Sequence, residues 1–114
     1  MNRRRVVITG MGVVSPVGNN VETAWNNVKN GVSGLGNISL FDSSRLKVHV
    51  DAEVKNFNIE DYGISSRATR KMARFSKFCL AASAQAIEDA GYTKETLQAE
   101  KTGVLLGCCI GGMD

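Results

Sequence analysis

The strongest constraint on the fold is a short apolar run that ends in a turn containing two glycines. Residues 6–8 are Val-Val-Ile, Thr-Gly-Met-Gly follows at 9–12, and a second apolar pair occupies 13–14. A short apolar run bounded by turn residues is typical of a strand buried in an α/β layer. Because Gly10 and Gly12 carry no side chains, they predict that another stretch of backbone comes close to this turn.

The same turn invites comparison with the phosphate-binding turn of dinucleotide-binding proteins. Their fingerprint, G-x-G-x-x-G, would place its third glycine at position 15, but that position holds Ser15, and Pro16 follows. A convincing acidic residue at the end of a second strand, about twenty residues later, is also missing. The residues therefore favour a structural strand and turn over a nucleotide site.

Apolar spacing predicts the remaining elements. A helical period over 21–28, preceded by Asn19 and Asn20 as caps, predicts a helix that ends at Gly31. The loop after it, 31–44, carries apolar residues expected to be buried. Alternation over 48–55 predicts a strand whose wet face carries His49, Asp51, Glu53 and Lys55.

The second half of the chain predicts a long helix, a short turn or helix, and a buried strand. The long helix would run from Ser65 or Ser66 to about Ala90, with Gly91 as its terminator. The short element covers 93–99, and the strand covers 102–110 and ends in Gly-Gly at 111–112. The order β-α-β-α-β favours a layered α/β fold.

Composition excludes several classes of function. The chain has 114 residues and a net charge of +3, enough for one domain or part of one. It contains no long basic run interleaved with aromatic residues, which argues against nucleic acid, and no apolar stretch long enough to span a membrane. The three cysteines are odd in number and lack metal-ligand spacing, so we expect free thiols in a reduced compartment and no metal site.

Two adjacent cysteines are the obvious candidates for a nucleophile. Cys108 and Cys109 end the last predicted strand, but an activated thiol needs a base, and the only imidazole, His49, lies on the predicted wet face. We therefore interpret Cys108 and Cys109 as packing or pocket-lining residues, and Cys79 as a core residue.

A basic cluster occupies the start of the predicted long helix. Its four members are spaced i, i+3, i+4 and i+7, which predicts one shared helical face. Positive charge at a helix N-terminus opposes the helix dipole, so an anionic partner would explain the cluster; a merely solvated stripe is the alternative. The cluster consists of Arg67, Arg70, Lys71 and Arg74.

Motifs along nearly the whole chain resemble the elongating β-ketoacyl-acyl carrier protein synthases, condensing enzymes of thiolase-like fold. Besides the first strand and turn, six further features of the family find counterparts in order: its first helix with the "G-x-S-G" loop, its "FD" step, its second strand, its "R-K-M-D-R-F" segment, its "D-A-G" helix ending and its "G-V-x-x-G-S-G-x-G-G" strand. The matching segments are 25–34, 41–42, 52–57, 70–75, 84–91 and 103–112. The resemblance implies an incomplete thiolase-like αβα layer, formed by 1–114 as the N-terminal part of a synthase domain truncated before its catalytic Cys.

The implied activity is decarboxylative condensation of an acyl thioester with malonyl-acyl carrier protein. The family's catalytic Cys, two His and Lys have no counterpart here, so the segment alone is expected to be inactive. The resemblance implies that Arg67, Arg70 and Lys71 dock the acidic carrier protein, with Arg74 beside them. It also implies that residues of the last strand line an acyl pocket. The pocket residues are Gly107, Cys108 and Ile110, the last of which matches the residue that gates chain length.

Two positions depart from the family pattern. Ala73 stands where the family has Asp, and Cys108-Cys109 replaces a Ser-Gly pair, which puts more bulk where glycine allows close packing. These changes are expected of a divergent or decaying copy, or of one with an altered acyl pocket.

The resemblance further implies no cofactor, homodimeric full-length relatives, and a cytoplasmic location, or an organelle stroma in a eukaryote. Acyl carrier protein is the expected partner, with no nucleic acid or membrane. Two alternatives stay open: a non-catalytic module that binds carrier protein, and an inert truncated gene product.

Overall fold

The computed structural model describes residues 3–99 and 101–111. The chain divides into two compact units. The smaller unit is Val13–Asn58, and the larger unit joins Met1–Gly12 to Ile59–Asp114. The end of the last predicted strand, at Gly112, lies outside the described residues.

The smaller unit begins with helix α1, Val21–Lys29, as the sequence predicted. Asn20 caps it, because its side-chain Oδ1 accepts a hydrogen bond from the Thr23 backbone N–H at 2.8 Å. The helix ends at Asn30, and Gly31 follows with φ of 66°, a left-handed conformation that glycine adopts without a side-chain clash. Both helix boundaries are therefore set by local chemistry.

Two short strands complete the regular structure of the smaller unit. Strand β1, Gly36–Asn37, pairs antiparallel with β2, Val50–Asp51, in the register Gly36↔Asp51 and Asn37↔Val50. The predicted strand over 48–55 is thus confirmed only at its centre. Among the described residues, only Val50 and Asp51 of the predicted strand belong to a sheet. The remaining residues of 48–55 therefore have no sheet that would keep alternate side chains on opposite faces.

The prediction that Glu53 lies on a wet face of this strand is wrong, because this residue is only 7% exposed. Its carboxylate accepts hydrogen bonds from the Ser39 N–H (2.9 Å), the Ser39 hydroxyl (2.6 Å) and the Leu40 N–H (3.1 Å). Three donors offset the loss of water around the carboxylate. The loop predicted to bury apolar anchors instead leaves Leu35, Leu40 and Phe41 more than half exposed.

Helix α2, Arg74–Asp89, organises the larger unit. A 3-10 helix, Ile59–Tyr62, packs against it, and Ile59 and Ala81 are buried there. Helix α3, Lys94–Ala99, follows and confirms the predicted short element. No helix in the described part of the chain is both long and apolar enough to cross a membrane.

The close approach predicted at the glycine turn is confirmed. A Cβ added to Gly10 would overlap the Ala86 carbonyl oxygen, and one added to Gly12 would overlap that of Ala82. Between them, the Met11 N–H donates to the Asp89 carboxylate at 2.9 Å. The first segment therefore lies directly on the backbone of α2.

Neither predicted buried strand forms as such. Val6 is 92% exposed and Leu105 is 98% exposed, and within the described residues neither 6–8 nor 104–106 belongs to a sheet. A strand is defined by hydrogen bonds to a neighbouring strand, and an apolar run cannot supply that partner by itself. Both segments carry uncovered apolar side chains.

Candidate functional site

The four predicted docking residues are all exposed in the larger unit and form what we call the basic segment. Residues 66–71 make consecutive turns, and α2 begins only at Arg74. Their side chains place positive charge in water, where an acidic surface could approach them. The members of the basic segment are Arg67, Arg70, Lys71 and Arg74.

The prediction that the basic segment shares one helical face is wrong. Ala73 is extended, with φ of −61° and ψ of 154°, and it interrupts the helix expected to run from Ser65. Before it, the Thr69 hydroxyl lies 3.3 Å from the carbonyl oxygens of both Ser65 and Ser66, which it can use as acceptors. The observed break lies at Ala73, where the backbone leaves helical geometry and α2 begins anew at Arg74.

The backbone of the basic segment is nevertheless anchored. Thr69 is 2% exposed, and the Ser66 hydroxyl donates to Glu60 Oε1 at 2.6 Å, which ties the segment to the 3-10 helix. Since that helix packs on α2, the basic side chains project from a supported turn. Such support lowers the conformational entropy that a partner must remove on binding.

Arg74 differs from the other three basic residues. It is the first residue of α2, and its guanidinium lies 5.1 Å from the centre of the Phe78 ring, within cation–π range. The helix has no acidic residue in its first turn and no side-chain cap from Ala73. The aromatic ring therefore offsets part of the unfavourable interaction between Arg74 and the helix dipole.

The predicted acyl-pocket residues lie on the segment 101–111, which belongs to no helix or strand. Gly107, Cys108 and Ile110 are all exposed, with Ile110 at 73%. A Cβ added to Gly111 would come within 2.7 Å of both the Cys108 sulfur and the Phe75 ring, so these groups share one small space. The structure thus brings the end of this segment to Phe75, in the first turn of α2.

The histidine belongs to the smaller unit and the three cysteines belong to the larger unit. The recorded contact of His49 Nδ1 is with the Ser43 hydroxyl at 3.4 Å, and the side chain is exposed, as predicted. Cys79 is half-buried, whereas Cys108 and Cys109 are exposed, so their expected burial is wrong. No group of three metal-ligating side chains occurs in the part of the chain described.

The sequence reasoning missed the hydrogen-bonded carboxylate of Glu53. The Ser39 hydroxyl and N–H, followed by the Leu40 N–H, hold the pKa of Glu53 below its usual value of 4.5, and nearby Lys55 acts in the same direction. The signal available in the sequence for this hydrogen-bonded carboxylate was an acidic residue in a valine-rich strand, close to a serine-rich loop. This carboxylate fastens the loop after β1 and lies in the smaller unit.

The chain is similar to known proteins over nearly its whole length. Residues 3–114 match the family described as "Beta-ketoacyl synthase, N-terminal domain". The chain is 43% identical over 97% of its length to 3-oxoacyl-[acyl-carrier-protein] synthase 2 of Staphylococcus aureus, and 42% identical over its full length to that of Vibrio cholerae. It spans 27% of the length of each relative.

A solved structure gives the same result for the fold. The ishigamide ketosynthase/chain length factor superposes with a TM-score of 0.75 at 34% identity, over 82% of this chain and 23% of that one. The α/β, thiolase-like fold class is therefore confirmed, as an incomplete portion of the layered architecture. The match over 3–114, the relatives and the superposition agree, and the chain belongs to the β-ketoacyl synthase family, to its N-terminal domain.

Proposed function

We propose that these 114 residues are the N-terminal part of a 3-oxoacyl-acyl carrier protein synthase of fatty acid elongation. In this reaction an acyl group moves to a cysteine thiol, malonyl-acyl carrier protein loses carbon dioxide, and the resulting carbanion attacks the acyl thioester. The nucleophilic Cys, two His and a Lys are supplied by sequence other than these residues. The match to the family over residues 3–114 carries the proposal.

The role proposed for the basic segment is to dock the acidic carrier protein. Its four exposed cations support this role, because opposite charge steers association and fixes orientation. The anchoring of Thr69 and Ser66 supports it as well, since the cations project from a turn that packing already holds.

The role proposed for Gly107, Cys108 and Ile110 is to line the acyl pocket. Exposed apolar surface at Ile110 supports a site for a fatty chain. In a chimera that joins this chain to the remainder of the Vibrio cholerae relative, Ile110→Trp should shorten the acyl chains accepted, whereas Leu105→Trp should not. Equal effects of the two variants would refute the assignment of Ile110.

Charge reversal tests the docking role. In the variant Arg70→Glu/Lys71→Glu, we expect affinity for acyl carrier protein to fall at least about tenfold, because attraction becomes repulsion. The matched control, Arg45→Glu/Lys47→Glu, changes the net charge equally at exposed positions of the smaller unit and should bind as the parent does. Titration calorimetry at low and moderate salt measures both; equal losses would refute docking at the basic segment.

A non-catalytic module that binds carrier protein is the second candidate function. One observation favours it: the whole basic segment lies within this chain. Binding of carrier protein therefore does not require the nucleophilic Cys, the two His or the Lys. Carrier-protein binding by a chain that supports no condensation in the chimera would select this alternative.

The proposed setting is the cytoplasm, or an organelle stroma in a eukaryotic source, with the synthase acting as a homodimer. The bacterial relatives support the first part. Sedimentation of the chimera tests the second, and a monomeric, active chimera would refute it.

A further inference from the structure

Two adjacent thiols offer a chemistry that the proposed condensation does not use, since Cys108 is proposed there only to line the acyl pocket. Cys108 and Cys109 are both free and exposed, and they lie on a segment that belongs to no sheet among the described residues. The third cysteine, Cys79, is half-buried within α2. The pair therefore differs from Cys79 in both access and spacing.

The Cys108 sulfur lies close to Gly111. The chain bends at 109–110, and the sulfur and the edge of the Phe75 ring each lie 2.7 Å from the position that a Cβ on Gly111 would take. Cys109 follows directly, at the start of the bend, so both thiols belong to one short turn.

Adjacency disfavours a disulfide between the two thiols and favours a bridge through a third atom. Consecutive Cα atoms are about 3.8 Å apart, shorter than the roughly 4.4–6.8 Å found across ordinary disulfides. An inserted atom with long bonds to sulfur relieves that restriction. Arsenic(III) is such an atom, and thiolate is the soft ligand that it prefers.

We propose that Cys108 and Cys109 form a dithiol site for soft electrophiles that take two thiolates, with trivalent organoarsenicals as the defining class. With phenylarsine oxide, two As–S bonds form and the As–O bond breaks. The oxygen leaves as water with the two thiol protons, and arsenic stays trivalent, so no oxidant or reductant is needed. The proposal goes beyond condensation and does not depend on it.

Intact-mass spectrometry of the full chain with equimolar phenylarsine oxide tests the site. We expect one adduct per chain that survives an excess of the monothiol glutathione and is removed by the dithiol 2,3-dimercaptopropanol. A single thiol cannot resist glutathione, because it holds arsenic by one exchangeable bond. Cys108→Ser and Cys109→Ser should each abolish the glutathione-resistant adduct.

Cys79→Ser is the matched control and should retain the resistant adduct in full. Circular dichroism of every variant verifies that the fold is unchanged, and the exposed positions of Cys108 and Cys109 favour this. Cys108→Ala and Cys109→Ala repeat the test without a hydroxyl. A resistant adduct that persists without Cys108 or Cys109, or is lost with Cys79→Ser, overturns the proposal, as does no resistant adduct in the parent chain.

Discussion

Gly12→Ala probes the contact that holds the first segment on α2. The added Cβ would overlap the Ala82 carbonyl oxygen and lie 2.8 Å from the Gln85 Cβ, well inside ordinary van der Waals contact. The obstructing atom is helix backbone, which cannot move aside by rotating a side chain. The first segment must therefore shift away from α2, and the Met11 hydrogen bond to Asp89 is weakened with it.

Overpacking of this kind costs about 1–3 kcal/mol. For a domain of this size, 1 kcal/mol corresponds to a change in Tm of about 4 °C. We expect Gly12→Ala to lower the Tm by about 4–12 °C in thermal unfolding followed by far-ultraviolet circular dichroism.

Gly103→Ala is the matched control, because a Cβ at Gly103 meets nothing within 4 Å. This change should be neutral or slightly stabilising, since alanine restricts the unfolded chain. Ala82→Gly should not rescue Gly12→Ala, because it leaves the carbonyl oxygen in place. Equal melting of the Gly12→Ala and Gly103→Ala variants, or rescue by Ala82→Gly, would refute the packing argument.

Two further predictions concern the smaller unit. Asn20→Ala should lower the free energy of unfolding by about 1 kcal/mol in urea titration, because α1 loses its side-chain cap, whereas Asn20→Asp keeps an acceptor and should cost much less; equal losses would contradict the role of the cap. Since hydrogen bonds lower the pKa of Glu53, its stabilising contribution is present above the usual value of 4.5 and disappears as the pH falls through the lower folded-state pKa. Glu53→Gln should therefore reduce the fall in Tm at acid pH, whereas Glu88→Gln, at an exposed position, should not. An unchanged fall in Tm in Glu53→Gln would contradict the account.

Features controlled by local chemistry could be predicted from the sequence. Helix α1 follows from an asparagine cap, apolar residues at helical spacing and Gly31, and all three operate within a few residues of one another. The close approach at Gly10 and Gly12 also follows, because a missing side chain matters only where something must come near. The family resemblance was carried by ordered motifs and is confirmed.

Features that depend on distant partners could not be predicted in the same way. The apolar runs around Ile8 and Leu105 have strand composition, but no other described strand pairs with them. Glu53 alternates onto a predicted wet face, yet Ser39 and Leu40 supply donors that no period-two pattern reveals.

The basic segment shows how a candidate site can be right in composition and wrong in shape. Helical spacing placed four cations on one face, but residues 66–71 form turns and the extended Ala73 separates them from Arg74. Their exposure, on which the proposed docking depends, was nevertheless anticipated. The burial expected of Cys108 and Cys109 was not found, and their exposure led to the proposed dithiol site.

The central claim, that this chain is the N-terminal part of a condensing enzyme, is tested most directly by product formation. The assay supplies acyl- and malonyl-acyl carrier protein to two proteins: the 114-residue chain alone, and a chimera in which it replaces the matching 27% of the Vibrio cholerae relative. The account predicts 3-oxoacyl-acyl carrier protein from the chimera and none from the chain alone. Product from the chain alone, or a folded chimera without activity, would contradict it.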